Sequence, residues 1–460
     1  MVALAKTATA PWPNRRTRIA SSSSDPDRAD TMQVDWLLSG WKLKTEGVIL
    51  PEERLPAAQT ILVGIQHVVA MFGGTILVPL LIGFDPNVAL LCSGIGTLIY
   101  LLAVGGRMPS YLGSSGAFIA VVIVATAYPG HGANPNIAIA LGGIIAAGVI
   151  YALIGVCVVL AGPGWIEKLM PPVVVGTVVA VIGLNLAPFA VKAVSSGGLE
   201  TISGLITVVL VGVVAVHAGG FWRRIPILIG GASAYLLYAL LTNGFGLGTP
   251  IDFAPVAASA WLGLPNFSEP VFETRAVILI APAAIVLVAE NLGHLKALSA
   301  MMGRDLDAYM GRAFVGDGVA TIIAGAAGGP GVTTYAENIG IMGMTKVFST
   351  LVFVVAALFA ILLGFCPKFG ALILTIPGPV IGGLSLVLFG LITATAGRIW
   401  VENKVAFSEP GNLIIVGACL VAGAGNLSIE FGGFALGGVG TASFGAIILY
   451  QLLRPRVRTP

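Results

Sequence analysis

Four titratable side chains stand inside otherwise apolar stretches of this chain: Glu290, His294, Asp317 and Glu337. An ionisable group at a bilayer centre costs about 2.5–3.5 kcal/mol on insertion scales, so it persists only with a partner or a task. Glu290 and His294 lie four apart in Ala289-Glu290-Asn291-Leu292-Gly293-His294. That spacing puts both on one helix face, where each perturbs the other's proton affinity. Two readings follow: a hydrogen-bond acceptor with a proton-handling neighbour, or a buried pair that fastens two helices. Glu337 comes just after the β-like run Val332-Thr333-Thr334-Tyr335, where a short helix begins. The free N–H groups and positive dipole end of a helix start, beside a carboxylate, offer donors and acceptors together. That pattern suits the edge of a planar cyclic amide; alternatively Glu337 only caps its helix. Asp317, between Gly316 and Gly318, either joins a proton path or bonds to facing helix ends.

The remaining polar and aromatic candidates carry less. Tyr335 and Phe118 either border a planar ligand or pack; His67 reads as a packed helix residue, and His131 and His217 as interfacial residues near span ends. Cys92, Cys157, Cys366 and Cys419 have no CxxC spacing and read as small hydrophobes. No phosphate loop, zinc spacing, nucleophile elbow or basic nucleic-acid patch is present, which argues against an enzyme, a metal site and a nucleic-acid partner.

The elements that must position these residues follow from composition. The chain is 57% hydrophobic and 10% charged, against roughly 25% charged for a soluble domain. So few charges cannot cover a water-facing surface, and the solvent is lipid. Apolar segments recur at about 57–82, 88–105, 112–127, 136–161, 171–190, 201–218, 225–241, 275–297, 311–328, 335–343, 346–364, 370–393, 411–424 and 437–453, fourteen in all. The third and tenth are too short or Gly-rich to span as simple helices and read as a strand followed by a half-helix. With the N-terminus in the cytoplasm and alternating spans, 21 of the 24 Lys and Arg residues fall inside, as the positive-inside rule requires. Residues 1–56, polar and rich in Ser and Arg, read as a largely disordered cytoplasmic tail, with 35–53 lying along the membrane surface. They contain no apolar region followed by a cleavage site, so they do not read as a signal peptide. The first seven spans then occupy 57–241, an external connector 242–274, the second seven 275–453, and a cytoplasmic tail 454–460.

An internal repeat links the two halves. An ungapped shift of 224 residues superposes Gly94 on Gly318, Thr97 on Thr321, Tyr111 on Tyr335 and Gly116 on Gly340, and Gln66 on Glu290. A shift of 207 superposes Pro172-Val173 on Pro379-Val380 and Gly183 on Gly390. Seven spans per copy, an odd number, force the copies into opposite orientations. Inverted repeats with interrupted helices in matching positions are the pattern of a secondary transporter that binds its substrate near the midplane.

The run Glu337-Asn338-Ile339-Gly340-Ile341-Met342-Gly343-Met344-Thr345-Lys346 resembles the signature of the nucleobase–ascorbate transporter family. So do Gln66-His67 with Met71-Phe72-Gly73-Gly74-Thr75, Tyr111-Leu112-Gly113-Ser114-Ser115, and the segment from Ala289 to His294. The resemblance spans about residues 57–453 and is nearest the bacterial uracil/pyrimidine permease branch, because both site positions are Glu. It implies an all-α fold of seven plus seven inverted spans with a core and a gate domain. It also implies proton symport, elevator-type movement and a homodimer, with protons as coupling ion and no cofactor. By matching motif, Glu290 and Glu337 bind the base and His294 contributes to proton coupling. Gly74, Gly116, Ala336 and Tyr335 lie close to the ligand. Gly116 stands where uracil permeases commonly carry Phe, which loosens the pocket. The alternatives are a purine (xanthine or uric acid) symporter of this family, an anion exchanger of the same fold, and an uncoupled nucleobase channel.

Overall fold

The structure, a computed structural model, describes residues 40–453 apart from 131, 196, 220, 221, 432 and 433. The readings for the tail up to residue 39, for residues 454–460 and for His131 lie outside the described residues. Two short strands, β1 (Lys42–Leu43) and β2 (Glu53–Arg54), lead into α1 (Ala57–Ile82) and α2 (Pro86–Ala103). Residues 40–56, which composition groups with the polar tail, are structured here. β1 and β2 pair in parallel, and Ile49 bridges to Val347.

Strand β3 (Leu112–Ser114), a 3-10 turn (Gly116–Phe118) and α3 (Ile119–Thr126) follow, then α4 (Ile137–Ala161) and the short α5 (Gly164–Leu169). Next come α6 (Pro172–Val194), α7 (Gly198–His217), α8 (Pro226–Ala239) and the connector with α9 (Ala254–Ala258). The second half runs α10 (Thr274–Ile280), α11 (Ala283–Met302), α12 (Met310–Ala326), β4 (Val332–Thr334), α13 (Ala336–Thr345) and α14 (Thr350–Gly364). It closes with α15 (Pro367–Leu374), α16 (Gly378–Glu402), α17 (Pro410–Ala424), the hairpin β5 (Ile429–Phe431) and β6 (Phe434–Leu436), and α18 (Gly438–Leu453).

Every one of the fourteen apolar stretches contains a helix. Among the described residues eight helices are long and apolar enough to cross a membrane, or nine if the bent pair α14 and α15 counts as one span. The twelfth stretch is displaced. Its expected start at 370 falls in α15, which bends 80° from α14, and the long helix begins only at Gly378. Pro377 and Pro379 explain the shift, since proline starts a helix readily and cannot continue one.

The helices sort into two packing groups. One holds α1, α2, α4, α10, α12 and α14; the other holds α6, α7, α8, α16, α17 and α18. Glycines allow the closest approaches within the first group. A Cβ on Gly155 would stand 2.5 Å from the Val315 nitrogen, and one on Gly318 would stand 2.4 Å from that of Ala152. In lipid, association rests on such packing rather than on hydrophobic exclusion. Helix α11 touches both groups, lying against α4 and α13 on one side and α6 on the other.

The two interrupted stretches meet. β3 and β4 pair antiparallel, with Leu112 opposite Thr334, Gly113 opposite Thr333 and Ser114 opposite Val332. All six residues are buried, so each strand supplies the backbone partners that lipid cannot. Thr97 and Thr321, which the 224-residue shift superposes, do the same job: the Leu112 N–H donates to the Thr97 hydroxyl at 2.9 Å, and the Val332 N–H to that of Thr321 at 3.3 Å. The strands themselves depart from that shift. The local two-fold axis of the pair relates Gly113 to Thr333, an offset of 220 residues (from 113 to 333). The connection before β3, residues 104–111, is longer by three than the one before β4, residues 327–331, and α12 ends one residue before the shifted end of α2, which together make up the difference. In strand register Ala117 is therefore the counterpart of Glu337, and the first half has no acid there.

Candidate functional site

From the strand crossing a cavity of about 560 Å³ runs between the two helix groups. Gly74 of α1, Ser114, Ser115 and Gly116 after β3, Glu290 and His294 of α11, and Thr334, Tyr335, Ala336 and Glu337 line its inner end. Val175 and Val179 of α6 and Leu388, Phe389 and Ile392 of α16 form an apolar wall. Exposed charged residues stand at the mouth, where Lys296 lies 2.6 Å from Glu167 and 2.7 Å from Asp307, and Arg398 lies 3.8 Å from Glu402. A second cavity of about 910 Å³, lined by Asp85, Glu200, Tyr238 and Thr375 near the far end of α1, contains none of the residues singled out from the sequence. Its larger volume does not make it the site, because the convergent polar groups lie in the first.

Sequence reasoning placed Glu290, Glu337, His294, Gly74, Gly116, Ala336 and Tyr335 near one site, and all seven line this cavity. Glu290 Oε2 is buried and has no hydrogen-bond partner. Glu337 lies in the first turn of α13, whose N-cap residue Tyr335 makes no side-chain cap, and its side chain is accessible from the cavity. The Glu337 carboxyl accepts from its own backbone N–H, and with the partnerless Glu290 oxygen the site can take a ligand that both donates and accepts.

His294 does not bond to Glu290. Its Nδ1 lies 2.9 Å from the Thr334 hydroxyl, and that hydroxyl donates to Asn291 Oδ1 at 3.2 Å. Thr334 has one hydroxyl hydrogen, so the bond between them is donated by Nδ1–H, and Nε2 is left as the acceptor. The Asn291 amide donates in turn to the Tyr151 hydroxyl at 2.7 Å and to the Asp317 carboxylate, to which Tyr151 also donates at 3.2 Å. Asp317 is fully buried behind the cavity and does not line it. It belongs to a polar chain that reaches His294 through Asn291 and Thr334. Tyr151, Asn291 and Thr334 were not singled out for this role in the sequence. The available signal was Asn291, a polar residue beside Glu290 on a lipid-embedded helix.

Tyr335 and Phe118 part company. Phe118 is buried against Gly331 and stays out of the cavity. Tyr335 lines it, but its hydroxyl is tied to the scaffold, donating to the Ser114 carbonyl at 2.8 Å and lying 3.2 Å from the Thr75 hydroxyl. Gly74 is required by that ring, because a Cβ there would stand 2.6 Å from the Tyr335 hydroxyl. Gly116 differs: a Cβ there meets only Ile392 Cδ1, at 3.9 Å. His67 is packed as read, 4.6 Å from the Phe353 ring with Nδ1 3.0 Å from the Asn338 amide. His217 is the last residue of α7.

Fold and site together define a multi-pass membrane transporter rather than an enzyme. Residues 58–430 match the profile of a family described as "Permease family", and the chain belongs to this family, the nucleobase–ascorbate transporters. It is 59% identical over 417 residues to the Escherichia coli K12 protein named "Putative pyrimidine permease RutG", covering 90% of this chain and 94% of that one. It is 41% identical to a uracil permease of Paenibacillus larvae, covering 87% and 96%, and 40% identical to the uracil permease of Bacillus subtilis 168, covering 85% and 91%. Among solved structures it is similar to the transmembrane domain of the cyanobacterial bicarbonate transporter BicA, with a TM-score of 0.58 at 18% identity over 85% of this chain and 97% of that one. It is also similar to murine Slc26a9 in the inward-facing state, with a TM-score of 0.65 at 11% identity over 95% and 76%. These two likenesses concern the fold.

Proposed function

We propose that this chain is a symporter that imports uracil or a related pyrimidine base together with protons across the cytoplasmic membrane. The observation that carries the reading is the partnerless Glu290 Oε2 in a cavity shared with Glu337 at the start of α13. A pyrimidine-dione presents N–H donors and carbonyl acceptors around one flat ring. One N–H supplies the donor that Glu290 Oε2 lacks, the Glu337 carboxyl accepts from another, and a carbonyl meets the helix start. The names of the relatives, pyrimidine and uracil permeases, support the same substrate class.

Glu290 takes up a proton from outside, with His294 as its neighbour on the same helix face. Neutralising a carboxylate lowers the penalty of moving it through a low-dielectric slab, which ties substrate movement to the proton. Asp317 contributes by fixing Asn291 and, through Thr334, the ring of His294. Fourteen spans in two inverted sets, a core moving against a gate, a homodimer and cytoplasmic termini complete the proposal. With 21 of 24 basic residues assigned to the cytoplasm, the mouth at Lys296 and Arg398 faces inward.

Competition for binding of labelled uracil to the purified protein tests the substrate class. Uracil and thymine displace the label, whereas xanthine, hypoxanthine and uric acid do not. No specific uracil binding together with saturable binding of labelled xanthine makes the chain a purine symporter, and saturable binding of labelled sulfate or bicarbonate in place of uracil makes it an anion exchanger. Glu337→Ala abolishes uracil binding in protein that still elutes as a folded species.

A further inference from the structure

None of residues 41–55 lines the cavity, yet they are bound to the chain just beyond both acid-bearing helices. The Ile49 N–H donates to the Lys346 carbonyl at 2.9 Å, and the Phe348 N–H donates to the Ile49 carbonyl at 2.7 Å. Lys346 is the C-cap of α13 and takes the left-handed conformation, φ +58°. Trp41 Nε1–H donates to the Thr350 hydroxyl at 2.8 Å, which donates to the Pro51 carbonyl at 2.8 Å. Ile49, Leu55, Val347 and Val352 form a small apolar cluster of their own, apart from the main core. On the other side Arg304, just past the end of α11, grips Glu52 with two bonds of 2.8 and 3.2 Å. One segment thus holds the end of the helix that carries Glu290 and the end of the helix that carries Glu337.

We infer that residues 41–55 are a brace that sets the separation of α11 and α13, and through it the spacing of Glu290 and Glu337; the inference rests on the proposed role of those two acids. Helix α13 has ten residues and so is only about 15 Å long. A tilt at its finish pivots about the start and re-aims the Glu337 side chain rather than shifting its backbone. Strand pairing fixes the start of α13, and the brace fixes its finish. The Glu52–Arg304 pair is exposed and contributes little by itself, so the backbone bridge and the buried Ile49 carry most of the restraint. Ile49 and Arg304 are positioning residues; neither lines the cavity.

The test uses the full chain in detergent, lacking Cys157 and Cys366, with spin labels at Met301→Cys on α11 and Met344→Cys on α13, both exposed positions. Dipolar broadening reads the helix separation without any ligand. Ile49→Ala widens the distribution, weakens uracil binding about threefold to tenfold, and changes the saturating transport rate less than about twofold, as expected of a locally loosened element. Glu52→Arg shifts both readouts in the same direction by less, and adding Arg304→Glu restores them. An unchanged distribution in Ile49→Ala overturns the brace. A widened distribution with unchanged affinity overturns its link to the site. A parent chain that binds no pyrimidine contradicts the functional reading and the link together, while the label separation still decides the brace.

Discussion

The Tyr335 hydroxyl donates to the Ser114 carbonyl at 2.8 Å, joining the end of one buried strand to the first residue beyond the other. Tyr335→Phe leaves that carbonyl and the Thr75 hydroxyl short of a partner, and an unsatisfied buried group costs about 1–3 kcal/mol. Thermal unfolding in detergent therefore shows a lowered midpoint. Gly74→Ala drives a methyl against the same hydroxyl and weakens uracil binding; adding Tyr335→Phe recovers part of that loss.

Asp317 lies behind the cavity, joined to His294 through Asn291 and Thr334. Asp317→Ala removes the acceptor for the Tyr151 hydroxyl and the Asn291 amide, at about 1–3 kcal/mol for each donor left buried. Because Asn291 holds Thr334 and Thr334 holds His294, uptake shows a raised KM along with reduced stability. Stability loss with KM unchanged would mean that the polar chain is only structural.

If the cavity takes a pyrimidine, the room at Gly116 sets which ones fit. A Cβ placed there meets only Ile392 Cδ1, at 3.9 Å, so a side chain can start from this position without a clash. Gly116→Phe leaves the unfolding midpoint nearly unchanged and disfavours thymine relative to uracil about tenfold, the scale of one methyl group in a tight pocket. The ratio of their inhibition constants against labelled uracil measures it.

Acid loosens the brace. The Arg304 bond holds the Glu52 carboxyl below the usual glutamate range, partly opposed by burial. A carboxyl with a lowered folded pKa contributes stability that is present above its unfolded value and lost as pH falls through the folded one. The Met301–Met344 label separation is therefore constant from pH 8 to about pH 5 and broadens below about pH 4.5, near the unperturbed value. In Glu52→Gln this component of the change is missing.

Hydropathy made the helical stretches legible, because lipid demands long apolar runs. Intramembrane charge pointed to Glu290 and Glu337 for the same reason. Four things were hidden. The displaced start of α16 depended on a bend between α14 and α15 within a continuous apolar run. The four-residue slip at β3 and β4 depended on loop length, to which an ungapped comparison is blind. Tyr151 meets Asn291 across 140 residues, and no local pattern marks such a partner. The order of residues 40–56 was missed because a short polar segment carries its structural information in partners, Lys346 and Thr350, some 300 residues away.

Uptake of labelled uracil into proteoliposomes, with and without an imposed inward proton gradient, tests proton-coupled pyrimidine import most directly. Uracil accumulates above the external concentration only with the outside acidic, the accumulation collapses on adding a protonophore, and Glu290→Gln loses the response to the pH gradient. Uracil that merely equilibrates at the same rate with or without the gradient, or a Glu290→Gln chain that still follows the gradient normally, would contradict proton-coupled import.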